Sequence, residues 1–163
     1  NLLSYRARTR TELRRKLTGK GFRPARVDVC LDRLEERGLV DDPAVAAAFV
    51  RDRLRHRPRG KAKLTSELRA KGLGGPLSGE VVDAVLADEG VSERDLAVRV
   101  AEGWLRRQGT AAVEALGAST RTAESEKARR RLYGHLARRG FRGDDLRSGI
   151  DAAVALARSP AVP

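Results

Sequence analysis

The chain is poor in the residues on which sulfur chemistry and β-sheets depend. Its 163 residues include one cysteine, no methionine, one tryptophan and a single isoleucine, Ile150. One cysteine excludes an internal disulfide framework and a cysteine-based metal site. Because Cys30 stands among the valines and leucines of residues 27–34, we expect it to be buried. Apolar alternation and β-branched clusters are also missing, so no strands are predicted.

Long apolar runs and catalytic groupings are missing as well. No stretch of about 18 apolar residues and no signal-peptide pattern occurs, so no membrane span is predicted. The two histidines, His56 and His135, stand in basic helical contexts without a carboxylate or nucleophile at a catalytic spacing. We therefore predict a protein that is not an enzyme and holds no metal or cofactor. The chain begins at Asn1 rather than at methionine, which predicts native residues upstream.

A short motif that occurs three times predicts the fold. Each copy has two leucines four residues apart, then a cation three residues on, a glycine and a large apolar residue. Leucines at i and i+4 share a helix face, and glycine after a basic last turn ends a helix because it tolerates the left-handed conformation. The motif residues are Leu13, Leu17, Lys20, Gly21 and Phe22; Leu64, Leu68, Lys71, Gly72 and Leu73; and Leu132, Leu136, Arg139, Gly140 and Phe141. Each copy predicts a helix, its end and an apolar anchor.

Helix-start signals mark further helices around the three motifs. Thr9 and Glu12 have the spacing of a capping box, and Ser92 suits an N-cap. Asp42 followed by Pro43 is typical of an N-cap and the first helical position. Before the first motif, the corresponding helix is reduced to a few residues, which include Leu2, Leu3 and Tyr5.

Three similar units in series predict a repeat protein. We predict an all-α fold of three tandem three-helix repeats, residues 1–42, 43–90 and 91–163, that form an elongated, curved body. Residues 108–126, rich in glycine, serine and threonine, predict a flexible linker with a short helix. Such a body offers a long surface to a partner.

The net charge of +12 is unevenly distributed. Residues 43–72 carry nine cations and two acidic residues, and residues 127–163 carry nine and three, whereas residues 73–126 carry five and ten. Seven cations crowd into residues 51–63, interrupted only by Asp52, and unpaired like charge is costly to maintain. A solvated basic face is one explanation, but an acidic partner is favoured. The predicted contact residues are Arg51, Arg55, Arg57, Arg59, Lys61, Lys63, Arg130, Arg131 and Arg138.

A stand-alone DNA-binding protein is the alternative, since helix-turn-helix and Myb-like modules are also three-helix units with basic faces. Base-edge recognition usually enlists asparagine or glutamine as well as arginine, and the chain has only Asn1 and Gln108. Stacking on single strands needs exposed aromatic rings. The aromatic residues at predicted core positions are Phe22, Phe49, Phe141 and Trp104, and only Tyr5 and Tyr133 are expected to reach out. The alternative therefore reduces to contacts with the nucleic-acid backbone.

Four segments, in their order along the chain, carry a resemblance to a known family. They are residues 11–22, the join 38–51, the motif 67–72 and the motif 131–141. Together they resemble the RecX family of bacterial recombinase regulators, over about residues 2–155. The chain departs from the family pattern at Val45, which stands where the family usually has an aromatic residue, and along residues 108–126.

The resemblance implies a cytoplasmic regulator of the RecA recombinase that is a monomer when free. By this analogy the chain lies in the groove of the RecA filament on DNA, spans neighbouring protomers, and limits ATP hydrolysis, strand exchange and repressor cleavage. Weak nucleic-acid contact would accompany filament binding, and no cofactor is implied. A basic, elongated body suits a groove lined by acidic protein and phosphate, where charge mainly accelerates encounter.

Overall fold

The computed structural model describes residues 8–159, and within this range the chain is helical. Nine α-helices follow one another without a strand in the described residues, which confirms the all-α prediction. In chain order they are α1 (Arg10–Thr18), α2 (Pro24–Glu36), α3 (Asp42–His56), α4 (Lys61–Ala70), α5 (Leu77–Asp88), α6 (Glu93–Leu105), α7 (Thr110–Gly117), α8 (Ala123–Arg138) and α9 (Gly143–Arg158). The helix expected around Leu2, Leu3 and Tyr5 lies outside the described residues.

The chain divides into two compact units. Unit 1 comprises Asn1–Arg55 and Leu64–Val85, and unit 2 comprises His56–Lys63 and Leu86–Pro163. The division into three repeats with the boundaries given above stays a prediction.

Most of the predicted helix starts are formed by the expected side chains. The Thr9 hydroxyl accepts the N–H of Glu12 at 3.1 Å, and the Glu12 carboxylate accepts the N–H of Thr9 at 3.2 Å, as in a capping box. The start of α3 differs from the prediction. Asp41, not Asp42, accepts the N–H of Ala44 at 2.8 Å, because the Asp42 carboxylate instead accepts the N–H of Arg10 at 2.7 Å.

The core of unit 1 begins where α1 and α2 pack together. Leu13, Val27, Leu31 and Val40 form one buried cluster, and Leu17 and Leu34 pack against it. The prediction that Cys30 is buried is wrong, because its side chain is exposed. Positions 27, 31 and 34 repeat at the spacing of one helix face, and position 30 lies on the flank of that face, where no described element covers it.

Unit 2 is built on α6, α8 and α9. Gly149 of α9 is buried so close to α6 that a Cβ would stand 2.9 Å from the Ala97 carbonyl oxygen, and this close approach needs a residue without a side chain. Inside the segment predicted as a linker, α7 packs on α8 and α9. Its Leu116 is fully buried, so this part of the segment contributes to the core.

The three motif glycines end their helices with one and the same backbone geometry. Gly21, Gly72 and Gly140 have φ values of 90°, 92° and 92°. In each copy the N–H of the following apolar residue donates to the carbonyl of the second leucine, at 3.3, 3.1 and 3.2 Å, as in a Schellman motif. The sequence pattern thus specifies three equal helix ends.

The apolar residues after these glycines differ in burial. Leu73 and Phe141 are 2% and 0% exposed, whereas Phe22 is 58% exposed. The expectation that Phe22 lies in the core is therefore wrong, because no described residue packs over this helix end. The prediction for the other aromatic residues holds at Trp104, which is buried, and at Tyr133, which is exposed.

Candidate functional site

The predicted contact cations fall into both units. Arg51 and Arg55 of α3 belong to unit 1, where Arg51 is half-buried and Arg55 is exposed. The other seven belong to unit 2. They are Arg57, Arg59, Lys61, Lys63, Arg130, Arg131 and Arg138. The strongest candidate site therefore lies in unit 2.

Three of the predicted cations line one cavity on α8. The cavity has a volume of about 430 Å³. Its lining residues are Trp104, Lys127, Arg130, Arg131, Gly134 and Arg138. The spacing of the four cations along α8 follows the helical repeat, so they share one side of the helix. Within the described residues none of the four has an ion-pair partner, and such a cluster attracts anions.

A backbone contact attaches the basic loop before α4, residues 57–60, to the end of α8. The N–H of Gly60 donates to the carbonyl of Arg139 at 2.9 Å, and the Arg139 guanidinium donates to the carbonyl of Pro58 at 3.1 Å. Burial, together with the charges of Arg107 and Arg59, lowers the pKa of Arg139. The loop is therefore attached to the end of α8, although the two are about 70 residues apart in sequence.

His135 packs near Trp104, which lines the cavity. Its ring is 6.4 Å from the Trp104 ring, centroid to centroid, and its Nε2 is buried without a hydrogen-bond partner. Burial and the charges of Arg139, Arg107 and Arg138 lower the pKa of His135. Burial first, and the neighbouring guanidinium groups second, both disfavour the charged imidazole.

Arg53, in the basic run, takes part in contacts within unit 1. Its Nε donates to Glu67 at 3.2 Å, and its guanidinium carbon lies 4.4 Å from the centroid of the Phe49 ring. The Lys71 ammonium stands 5.2 Å from the same ring and donates to Glu12 at 3.0 Å. These cations contribute to the packing of unit 1 through ion pairs and cation–π contacts.

Two members of the cationic site were missed in the sequence. Trp104 was expected only as a core residue, yet it is both buried and in contact with the cavity. Arg107 follows α6 and adds its charge at His135. The sequence signal for this site is the helical spacing of Lys127, Arg130 and Arg131, which places three cations on one side of α8.

Two other kinds of site were sought among residues 8–159. No helix there is long and apolar enough to cross a membrane. No group of three or more histidine, cysteine, aspartate or glutamate side chains is arranged to hold a metal ion in that range. The cationic cavity remains the leading candidate.

Comparisons with known proteins point to one family. The family model described as RecX, first three-helix domain, matches residues 1–34, and the model described as RecX, second three-helix domain, matches residues 41–86. The chain is 41% identical over 141 residues to the regulatory protein RecX of Mycobacterium sp. (strain JLS), with 86% of this chain and 70% of that protein covered. It is 31% identical over 149 residues to the regulatory protein RecX of Prosthecochloris aestuarii, with 91% and 86% covered.

Solved structures agree in fold. The crystal structure of RecX from Lactobacillus salivarius superposes with a TM-score of 0.69 at 20% identity, covering 96% of this chain and 91% of that one. A second structure, of a regulatory protein RecX, gives a TM-score of 0.66 at 24% identity, covering 92% of this chain and 66% of that one. At these identities the superpositions show a shared fold.

Proposed function

Because this chain belongs to the RecX family of regulatory proteins, we propose that it binds the filament that the RecA recombinase forms on DNA and restrains the filament's activities. The activities in question are ATP hydrolysis, strand exchange and repressor cleavage. In this proposal the protein works in the cytoplasm, by binding rather than by catalysis, and is a monomer when free. The observation that supports a filament-binding surface is the cationic cavity of α8.

The cavity suits an acidic surface better than a small ligand. Its cations are arginines and one lysine along a single helix, and their side chains are exposed. Arginine forms paired hydrogen bonds with carboxylates and phosphates, both of which a nucleoprotein filament offers. The buried Trp104 also lines the cavity, so its apolar ring lies next to the cations.

The basic loop before α4 extends this surface. Lys63 packs on Gly140 at the end of α8, and Gly60 is bonded to Arg139. The loop is thereby held against the helix that carries the cavity. We propose that both sets of cations contact the filament together, the α8 set through the cavity and the loop set beside it.

The test is DNA-dependent ATP hydrolysis by the cognate recombinase while this protein is titrated. We expect hydrolysis to fall at amounts of this protein well below one per recombinase protomer. A parallel titration without recombinase, at about 0.15 M salt, measures binding to bare single-stranded DNA, since purely phosphate-driven contacts weaken steeply at that ionic strength. Unchanged hydrolysis with tight binding to bare DNA would replace this proposal with a stand-alone DNA-binding protein.

A further inference from the structure

A second cavity of unit 2 lies where α8 ends and α9 begins. Its volume is about 510 Å³, and the buried side chains of Phe141 and Leu146 form its apolar part. The other lining residues are Tyr133, Ala137, Arg142, Gly143 and Arg147. This tyrosine cavity therefore combines buried apolar side chains with one aromatic ring and two guanidinium groups.

Tyr133 is the exposed aromatic residue of unit 2. It is 56% exposed, and it shares one side of α8 with Ala137, one helical turn later. Within residues 8–159 its ring has no aromatic or cationic partner. A single exposed aromatic ring is common on protein surfaces, so the charges around Tyr133 decide what it can bind.

Those charges are of one sign. Residues 127–142 carry seven cations and no acidic residue. Arg130, one helical turn before Tyr133, lines the neighbouring cationic cavity. Arg142 is exposed, and it has no ion-pair partner in the part of the chain that the structure describes. Arg147 differs, because it pairs with Asp144 at 3.0 Å. Arg130 and Arg142 therefore place positive charge before and after the tyrosine.

We propose that Tyr133 is a stacking platform for one base of a single-stranded nucleic acid, and that Arg130 and Arg142 pair with the phosphates on either side of that base. An unpaired base stacks on an aromatic ring whatever its identity. Arginine binds phosphate through paired hydrogen bonds. No asparagine or glutamine lines the tyrosine cavity, so the site accepts any sequence.

The run of charge favours a nucleic-acid strand over a protein surface. Tyrosine and arginine are also frequent at protein–protein interfaces. Seven cations without a carboxylate, however, match a strand that carries one charge at every nucleotide. The run stops at Asp144 and Asp145 in the first turn of α9, so we expect the strand to follow α8. The proposal concerns unit 2 alone and does not rest on binding to a recombinase filament.

The test compares two strands that differ only in their bases. Both are fluorescently labelled and about 15 nucleotides long, within the site sizes of single-strand-binding proteins. One is made of thymidines, and the other has abasic sugars and the same number of phosphates. Fluorescence anisotropy with the full chain is recorded at about 0.05 M salt, where phosphate contacts are strong. The thymidine strand should bind at least about fivefold more tightly, as expected for one stacked base.

Variants separate stacking from charge. Tyr133→Leu should remove the preference for the thymidine strand and leave binding to the abasic strand unchanged, whereas Tyr133→Phe should keep the preference. Arg142→Gln should weaken binding to both strands by the same factor. Leu156→Ser is the matched control, because Leu156 is an exposed apolar residue of α9 outside the tyrosine cavity. It should bind both strands as the wild type does.

A second measurement locates the contact. The chain has two tyrosines, Tyr5 and Tyr133, so ¹³C-labelled tyrosine gives two sets of ring signals, and Tyr133→Leu identifies that of Tyr133. The thymidine strand should shift the Tyr133 signals, and the abasic strand should not.

Three results would overturn the proposal. The first is equal affinity for the two strands, or a preference that survives Tyr133→Leu. The second is a shift at Tyr5 instead of Tyr133. The third is displacement of the strand, with the same shift at Tyr133, by thymidine monophosphate or by polyglutamate. That result would assign the cavity to a free nucleotide or to an acidic protein, respectively.

Discussion

Lys63 lies against Gly140 so closely that a Cβ on the glycine would stand 2.6 Å from the backbone nitrogen of Lys63. The contact involves backbone on both sides, so neither partner can move aside as a flexible side chain could. Gly140 also has a φ of 92°, in the left-handed region that residues with a Cβ avoid. Glycine is therefore required at position 140 both by the left-handed backbone of the helix end and by the close contact with Lys63.

Replacing Gly140 with alanine should therefore destabilise the protein in two ways. The left-handed backbone costs about 1–2 kcal/mol for a residue with a Cβ. The overlap with Lys63 adds about 1–3 kcal/mol, the usual range for overpacking. Urea unfolding followed by circular dichroism should show the loss as a lower midpoint.

Gly21 provides the matched control for this substitution. Its φ is 90°, but no described atom lies near its Cβ position. Gly21→Ala should cost only the backbone part, about 1–2 kcal/mol. Equal losses in the two variants would show that the contact at Lys63 contributes nothing to stability.

The stability of unit 2 should depend on pH through His135. Burial and the neighbouring arginines lower the pKa of His135 below its ordinary value of 6.5. The unfolded chain therefore binds the proton more readily than the folded one, so this contribution is fully present above about pH 6.5 and is lost as the pH falls towards the lowered pKa. We expect the urea midpoint to drop between pH 7 and pH 5.5.

A glutamine variant separates His135 from other titrating groups. His135→Gln should flatten the dependence on pH in this range, since glutamine carries no titrating proton. A slope that survives in His135→Gln would assign the effect to carboxylates instead.

Charge reversal on α8 should weaken binding to the recombinase filament. We expect the triple variant Arg130→Glu, Arg131→Glu and Arg138→Glu to require at least about tenfold more protein for half-maximal inhibition of ATP hydrolysis, because each lost charge-assisted hydrogen bond is worth about 1.5–3 kcal/mol. Reversal of three cations of the basic run and loop, Arg55, Arg57 and Arg59, should act in the same direction.

The control carries the same change of charge at another place. Arg26, Arg33 and Arg37 are exposed residues of unit 1 outside the predicted set. Their reversal lowers the net charge equally but leaves the cavity intact, so inhibition should be close to wild type. If both triple variants lose activity to the same extent, net charge rather than the cavity determines binding. Circular dichroism checks that each variant is folded.

The exposure of Cys30 predicts a reactive thiol in the folded protein. A thiol that reaches solvent reacts with a disulfide reagent such as dithionitrobenzoate without prior unfolding. We expect one equivalent to react in native buffer within a few-fold of the time needed in denaturant. If the thiol reacts only in denaturant, Cys30 is buried and the prediction is wrong.

Local structure followed from the sequence where neighbouring residues decide it. The capping boxes that begin α1 and α6, at Thr9 and Ser92, depend on a side chain and the backbone three residues away. The helix ends at Gly21, Gly72 and Gly140 depend on a glycine that tolerates positive φ. Interactions of such short range can be read from spacing.

Burial at the edge of a helix face could not be predicted in this way. Cys30 lies one position from Leu31 on α2, yet Leu31 is buried and Cys30 is exposed. The width of the covered face depends on which elements pack over it. The cavity of α8 shows the same limit, since the sequence predicted Arg130 and Arg138 as contact residues but gave no sign that Trp104 of α6 would lie beside them.

The amino-acid sequence by itself determined the helices, their ends and the threefold motif, because each rests on residues within about one helical turn of one another. Only the tertiary structure decided which residues pack against each motif. Phe22, Leu73 and Phe141 follow identical helix ends, but only Leu73 and Phe141 are covered. Whether a helix end is covered depends on contacts with residues far away in the chain, such as the hydrogen bond from Thr9 to Lys71. No local sequence pattern encodes such a contact.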